Sequence, residues 1–246
     1  ASSRTQASSH DLAASGRAVS IGANRVTPRR GRETLEDGPR LRAQLKKQLR
    51  SQMKAVRGAL PAEARVARSC AIAARVLELA AWHEATVVAA FIAMRGEADP
   101  AALVAEALGS GRRVTLPRVD AEARELRMHE FDEATVLSPQ GAYGILEPPE
   151  DAPLTPLDEV DLVLVPALVL DPLGYRIGYG GGFYDRLLPS MHNAMRVAIA
   201  YDFQLLAEIP THDHDQRVDY VVTDTRTLET GAREGAREDD EWPAES

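Results

Sequence analysis

Val163-Leu164-Val165-Pro166-Ala167-Leu168-Val169-Leu170-Asp171-Pro172-Leu173-Gly174-Tyr175-Arg176-Ile177-Gly178-Tyr179-Gly180-Gly181-Gly182-Phe183-Tyr184-Asp185-Arg186-Leu187-Leu188 reads as a buried-strand run feeding a glycine-rich turn flanked by a cation and a carboxylate. Glycine adopts backbone conformations closed to other residues, so the N–H groups around Gly178, Gly180, Gly181 and Gly182 can converge on an anion with no side chain in the way. Arg176 adds fixed positive charge on one side. On the other, residues 184–188 read as the first turn of a helix, whose N-terminus also favours phosphate. The pattern is that of a phosphate-binding loop, with a plain tight turn as the alternative the glycines alone would allow.

Two familiar nucleotide loops fit this stretch poorly. A Walker loop requires Gly-Lys-Ser or Gly-Lys-Thr, and neither tripeptide occurs in the chain. The dinucleotide fingerprint requires three glycines at fixed offsets and an acid about twenty residues later. Gly178 and Gly180 match its first pair, but Phe183 occupies the third position.

Outward from the loop, helical and strand patterns alternate. Residues 41–56 and 61–80 read as helices, the second with proline at the favoured first position, and a third helix starts at Asp99-Pro100 and stops at Gly109. Strands are expected at residues 86–92, 113–116, 125–129, 162–165, 194–200 and 220–222. The class expected is α/β: a single, three-layer, Rossmann-like domain with a mostly parallel sheet and flanking helices, binding its ligands at the carboxyl ends of strands. The Pro- and acid-rich residues 138–158 are expected to form a long surface excursion.

The domain is expected to span residues 40–226. Residues 1–39 lack hydrophobic period and read as a disordered extension, either low-complexity or resembling a transit peptide. Residues 227–246 read as a disordered acidic tail. A chain of 246 residues, 44% hydrophobic, can bury one sizeable core, and its net charge of −8 offers no footprint for nucleic acid. The one cysteine, Cys70, cannot form an internal disulfide and is expected to pack inertly on a helix. With no apolar run of membrane-spanning length, a soluble, cytoplasmic, monomeric protein is expected.

Taken together, Pro166, Asp171 and residues 176–185 resemble the signature of the 5-formyltetrahydrofolate cyclo-ligase (methenyltetrahydrofolate synthetase) family. The resemblance extends over about residues 42–225. It includes Lys46-Lys47-Gln48-Leu49-Arg50, the segment from Phe91 and Ile92 through Glu97, Gly144-Ile145-Leu146-Glu147-Pro148, and His214-Asp215 followed by Val218-Asp219 and Val222-Thr223. Phe183 stands where many relatives carry tyrosine.

The resemblance implies an enzyme that uses ATP and Mg²⁺ to convert 5-formyltetrahydrofolate, with or without a polyglutamate tail, into 5,10-methenyltetrahydrofolate through a phosphorylated formyl oxygen. The same fold serving as a non-catalytic folate- or nucleotide-binding protein is the alternative, and the presence of Lys46, Arg176 and Asp185 weighs against it. Lys46, Arg50, Arg176, Ile177, Gly178, Tyr179, Gly180, Gly181, Gly182, Phe183 and Tyr184 would bind ATP, with Arg176 and Tyr184 as the catalytic pair. Phe91, Ile92, Glu97, Tyr179 and Phe183 would form the folate pocket. Asp185 and Asp215 would hold the metal. On residue type alone, Lys46 and Arg50 could equally be a solvated helix face, Asp185 a helix cap, and Glu97 a strand-end acid. His212-Asp213-His214-Asp215 suggests zinc at first sight but lacks cysteines or a third spaced histidine.

Overall fold

Strand residues at alternate positions pack to opposite sides of one sheet, and both sides are buried. In the strands β1 (Val87–Ala89), β4 (Leu162–Pro166) and β7 (Met195–Ile199), the side chains of Val88, Leu162, Leu164, Val197 and Ile199 join one apolar cluster. Val87, Ala89, Val163, Val165 and Ala198 join another. Burial on both faces is what gives these strands continuous apolar runs rather than alternating ones. The computed structural model describes residues 38–94, 96–139 and 144–233.

The remaining strands of this sheet are β2 (Arg113–Asp120), β3 (Glu125–Phe131), β8 (Tyr220–Val222) and β9 (Thr227–Glu229). Their order is β3-β2-β1-β4-β7-β8-β9, parallel except for the edge strands β3 and β9. The chain steps outward from β1 to β2 and later returns to the other side of β1 with β4. A crevice at such a reversal, beyond the carboxyl ends of the strands, is where doubly wound sheets bind ligands.

One face is covered by α2 (Ala62–Val76), α3 (Ala80–Glu84) and α4 (Ala101–Gly109), which contribute Ile72, Val76, Trp82, Leu103 and Ala107. The opposite layer is thinner: α5 (Phe183–Leu187) and the 3-10 turn after it supply Leu187 and Leu188, with Met191 beside them. The first helix, α1 (Pro39–Gly58), packs Leu49 and Met53 against Leu168, Val169 and Ile177 of a small hairpin formed by β5 (Val169–Leu170) and β6 (Arg176–Ile177).

That hairpin corrects one expectation, because the glycine loop follows β6 and not a strand of the main sheet. The turn between β5 and β6 depends on Gly174, which has φ +85° and would place a Cβ 2.4 Å from the Val218 carbonyl oxygen. The strand expected at 86–92 is short, and the one helix expected over 61–80 divides into α2 and α3. Of the excursion expected at 138–158, residues 140–143 lie outside the described residues; on either side Ser138 and Glu147 exchange backbone hydrogen bonds at 3.0 Å, and Glu147, Pro148 and Thr155 are buried rather than on the surface.

The expected domain limits also shift. At the start, α1 includes Pro39, while the rest of the proposed extension, residues 1–37, lies outside the described residues. At the end, residues 227–229 are not tail. Val221 and Leu228 pair across β8 and β9, and Thr230 N donates to the Asp219 carbonyl at 2.9 Å. Alternation over three residues is too brief to reveal an edge strand in sequence; the exposed edge of β8 is what recruits it. Residues 234–246, the rest of the proposed acidic tail, lie outside the described residues. Cys70 is exposed rather than packed, since α2 buries Ser69 instead. Among the described residues, no helix is long and apolar enough to cross a membrane.

Candidate functional site

Beyond the carboxyl ends of β1 and β4 lies a cavity of about 530 Å³, lined by Phe91 and Ile92 after β1 and by Pro166 at the end of β4. All the residues singled out in the sequence line it: Lys46, Arg50, Glu97, Ile177, Tyr184, Asp215, and with them Arg176, Asp185 and the whole glycine loop.

Three elements supply its positive charge. On α1, Lys46, Arg50, Lys54 and Arg57 follow one another at spacings of four, four and three, which puts them on one face of the helix. Lys46 and Arg57 are buried, Arg50 is half-buried, and Lys54 in the cavity wall is exposed. The solvated-face reading of Lys46 and Arg50 is thereby overturned, because buried cations need acceptors and these have them. Lys46 Nζ is 2.5 Å from Asp215 Oδ2, and Arg50 Nε donates to the Gly178 carbonyl at 2.8 Å. Arg176, on β6, donates to Asp185 Oδ1 at 2.8 Å and lies over the Tyr184 ring, 5.7 Å from its centroid.

In the loop, Gly180 and Gly182 have φ of +109° and +66°, a region other residues rarely adopt. Among the described residues, none of the N–H groups of residues 178–182 donates to a protein acceptor. The following helix is only five residues long, so its dipole adds little, and the side-chain cations carry most of the field. Its N-cap position is Gly182, with no side-chain cap, so Asp185 is not the cap that its place in the sequence allows. Asp185 instead receives Arg176 and, at 3.4 Å, the Gln216 N–H.

The acidic groups are arranged with equal economy. Bonds to Asp185 converge on Oδ1, and those to Asp215 converge on Oδ2, which also accepts from His212 N at 2.8 Å. The second oxygen of Asp185 takes no part in these bonds, and that of Asp215 faces His214 Nε2 at 4.0 Å. Among the described residues, no group of three His, Cys, Asp or Glu side chains is placed to hold a metal ion. His212 and His214 lie in the cavity wall as a parallel stack with centroids 5.4 Å apart, and burial together with Lys46 holds His212 below the usual histidine range.

A second acidic centre adjoins the apolar wall. Glu97 is buried, accepts from Met94 N at 3.0 Å, and faces Arg57 Nη1 at 3.7 Å. Tyr179 accepts a hydrogen bond from Arg57, and burial with Glu97 nearby raises its phenol well above the ordinary value. Tyr184 is raised in the same way, so both phenols remain protonated donors at neutral pH. Burial lowers both Arg50 and Arg176 from their usual values, with Asp185 and Asp215 opposing it.

The sequence reading missed Lys54, Arg57, Glu147, His212 and His214. For Lys54 and Arg57 the signal was continuation of the Lys46–Arg50 stripe. For Glu147 it was a buried carboxylate within a recognised short element; its Oε1 accepts from Val119 N at 3.2 Å while the residue lines the cavity.

Comparison with known proteins gives one consistent result. The model of the 5-formyltetrahydrofolate cyclo-ligase family matches residues 42–224. The 5-formyltetrahydrofolate cyclo-ligase of Mycolicibacterium smegmatis is 35% identical over 147 residues, covering 57% of this chain and 75% of that protein. Its counterpart in Escherichia coli K12 is 31% identical over 157 residues, covering 59% and 81%. The solution structure of Aquifex aeolicus 5,10-methenyltetrahydrofolate synthetase superposes with a TM-score of 0.68 at 29% identity, covering 82% of this chain and 97% of that one.

Proposed function

The chain belongs to the 5-formyltetrahydrofolate cyclo-ligase family, and from that premise we propose that it closes 5-formyltetrahydrofolate to 5,10-methenyltetrahydrofolate at the expense of ATP. The observation that carries this reading is the sharing of one cavity by a glycine loop with its cations and by an apolar, aromatic wall ending in a buried carboxylate.

An N-formyl group is amide-like, and its oxygen is a poor leaving group. In the proposed reaction that oxygen attacks the γ-phosphorus of ATP, the bond to the β-phosphate oxygen breaks, and ADP departs. The formyl carbon is then iminium-like and carries a phosphate. N10 attacks it, the C–O bond breaks, phosphate leaves, and N10 loses its proton, which completes the five-membered ring. Such chemistry requires positioning and charge neutralisation more than a protein nucleophile.

The roles proposed follow the geometry. Lys46, Arg50 and Arg176 meet the phosphates, and the amides of residues 178–182 cradle them. Arg176 neutralises charge on the phosphoryl group in transfer, with the Tyr184 hydroxyl as a hydrogen-bond donor beside it. Glu97 accepts from the N–H-rich edge of the pterin, while Phe91, Ile92, Tyr179 and Phe183 flank the ring and formyl group. Asp185 and Asp215 fit a magnesium ion, since each keeps one oxygen clear of its cation, and Mg²⁺ is bound through one or two carboxylates together with phosphate oxygens. When bound, the ion would neutralise phosphate charge.

Incubation of the protein with 5-formyltetrahydrofolate and Mg-ATP tests the reading. The near-ultraviolet absorbance of the methenyl product is expected only when ATP, Mg²⁺ and the 5-formyl isomer are all present. Product formed equally well without ATP would remove the ligase assignment.

A further inference from the structure

Arg57 is the most unusual residue of α1. Its position continues the stripe of Leu49 and Met53, where an apolar side chain would complete the packing, yet an arginine is buried there with 1% of its surface exposed. Burying a guanidinium is costly unless it is paired, and replacing buried pairs by apolar residues is often stabilising, so stability alone is a weak reason for it. Glu97 is its one ion-pair partner among the described residues.

Arg57 does not itself line the cavity; it stands behind two residues that do. Its Nη2 donates to the Tyr179 hydroxyl, its Nη1 lies 3.7 Å from Glu97 Oε1, and its guanidinium lies 5.5 Å from the centroid of the Tyr179 ring. The Glu97 carboxylate is also close enough to Tyr179 to help raise its phenol. Three separate pieces of chain thus meet at one guanidinium: the cation helix, the segment after β1 and the glycine loop. Neither Nε nor Nη1 of Arg57 has a hydrogen-bond partner in the protein among the described residues, so its fit is to the charge and position of Glu97 rather than to a saturated bond network.

We propose that Arg57 is a positioning residue that holds the Glu97 carboxylate and the loop residue Tyr179 as one unit, setting the pterin in register with the phosphate loop. The inference rests on the proposed function, in which Glu97 reads the pterin edge. A planar fork can address two acceptors at once, which a lysine ammonium on a flexible stem does poorly. The guanidinium places its positive charge beside Glu97, near which Tyr179 of the glycine loop and Tyr184 of α5 also lie; Tyr201 donates to the Glu97 carbonyl, and Arg65 of α2 lies beside Gly96.

Steady-state kinetics of Arg57→Gln and Arg57→Lys in the full chain, with melting temperatures alongside, test the inference. Arg57→Gln is expected to raise KM for 5-formyltetrahydrofolate about tenfold or more while changing KM for ATP less than about twofold. Arg57→Lys should fold and still raise the folate KM several-fold. Should Arg57→Gln fail to fold, the lysine variant carries the test: a wild-type folate KM in Arg57→Lys overturns the proposal. Variants that melt lower but keep the folate KM make Arg57 purely structural, which also overturns it. Failure of the wild-type protein to turn over would instead remove the proposed function, so the two failures are distinguishable.

Discussion

Asp185 and Asp215 each pair with a cation of the protein, and in the proposed function each would also meet a metal ion. Each carboxylate gives one oxygen to a buried cation, Arg176 or Lys46, and each lines the cavity. Asparagine preserves the acceptor toward these cations and nearly the same shape, but removes the charge that a hard metal ion requires. Asp185→Asn and Asp215→Asn are therefore expected to stay folded and to lose about a hundredfold or more in kcat, equivalent to roughly 2.7–4 kcal/mol of transition-state stabilisation. Activity should recover in part at raised Mg²⁺ concentration. Full turnover of Asp185→Asn at ordinary Mg²⁺ would leave the carboxylate as no more than a holder of Arg176. Asp185 stands out in sequence because it lies beside the glycines, whereas Asp215 was marked only by the family resemblance. Arg57 was not, because its significance depends on Glu97 and Tyr179, separated from it by 40 and 122 positions.

Among the elements, β9 has the clearest consequence. Its three residues cover the edge of β8, Leu228 packs on the inner cluster, and beyond it Thr230 and Arg233 both engage the β8 end of the domain through Val218, Asp219 and Ala194. A chain of residues 38–233 is expected to melt close to the full-length protein and to retain turnover. Ending it at Arg226 removes the edge strand and these contacts, at a cost of about 2 kcal/mol or more, read as a fall of several degrees in melting temperature. Equal melting temperatures for the two truncations would show that β9 contributes nothing to the fold. The sequence pattern conveyed α1, α4 and β8 well, since each carries its period or its boundary residues locally. It did not convey β5, β6 or β9: β5 and β6 have two residues each, β9 has polar ends where β8 has an apolar run, and such strands exist only because a partner is already in place.

At the scale of the whole molecule, the hairpin beneath the glycine loop couples stability to pH. Asp171 is buried, its Oδ1 accepts from the N–H groups of Leu173 and Tyr175 at 3.0 Å, and burial raises its carboxyl to about 6 in spite of these bonds and of Arg217. Because this value lies above that of the unfolded chain, the folded state binds the proton more tightly. The contribution of Asp171 to stability is thus fully present below about pH 4 and is lost as pH rises to about 6, a change of about 3 kcal/mol. Asp171→Asn, which does not titrate, should show a shallower fall in unfolding free energy between pH 4.5 and 7 than the wild type in urea titrations; parallel curves would remove Asp171 as the source. Taken by itself, the sequence determined the α/β class, the glycine loop and the chemical identity of the groups around it, because backbone freedom, periodicity and ionisable side chains are properties of short stretches. Only the tertiary structure decided that Lys46 and Arg57 of α1 are buried, that a hairpin carries the loop, that β9 covers the edge of β8 and that Arg57 joins Glu97 to Tyr179. Each of these depends on the free energy of burying or pairing groups distant in the chain, and no local preference encodes which distant groups will meet.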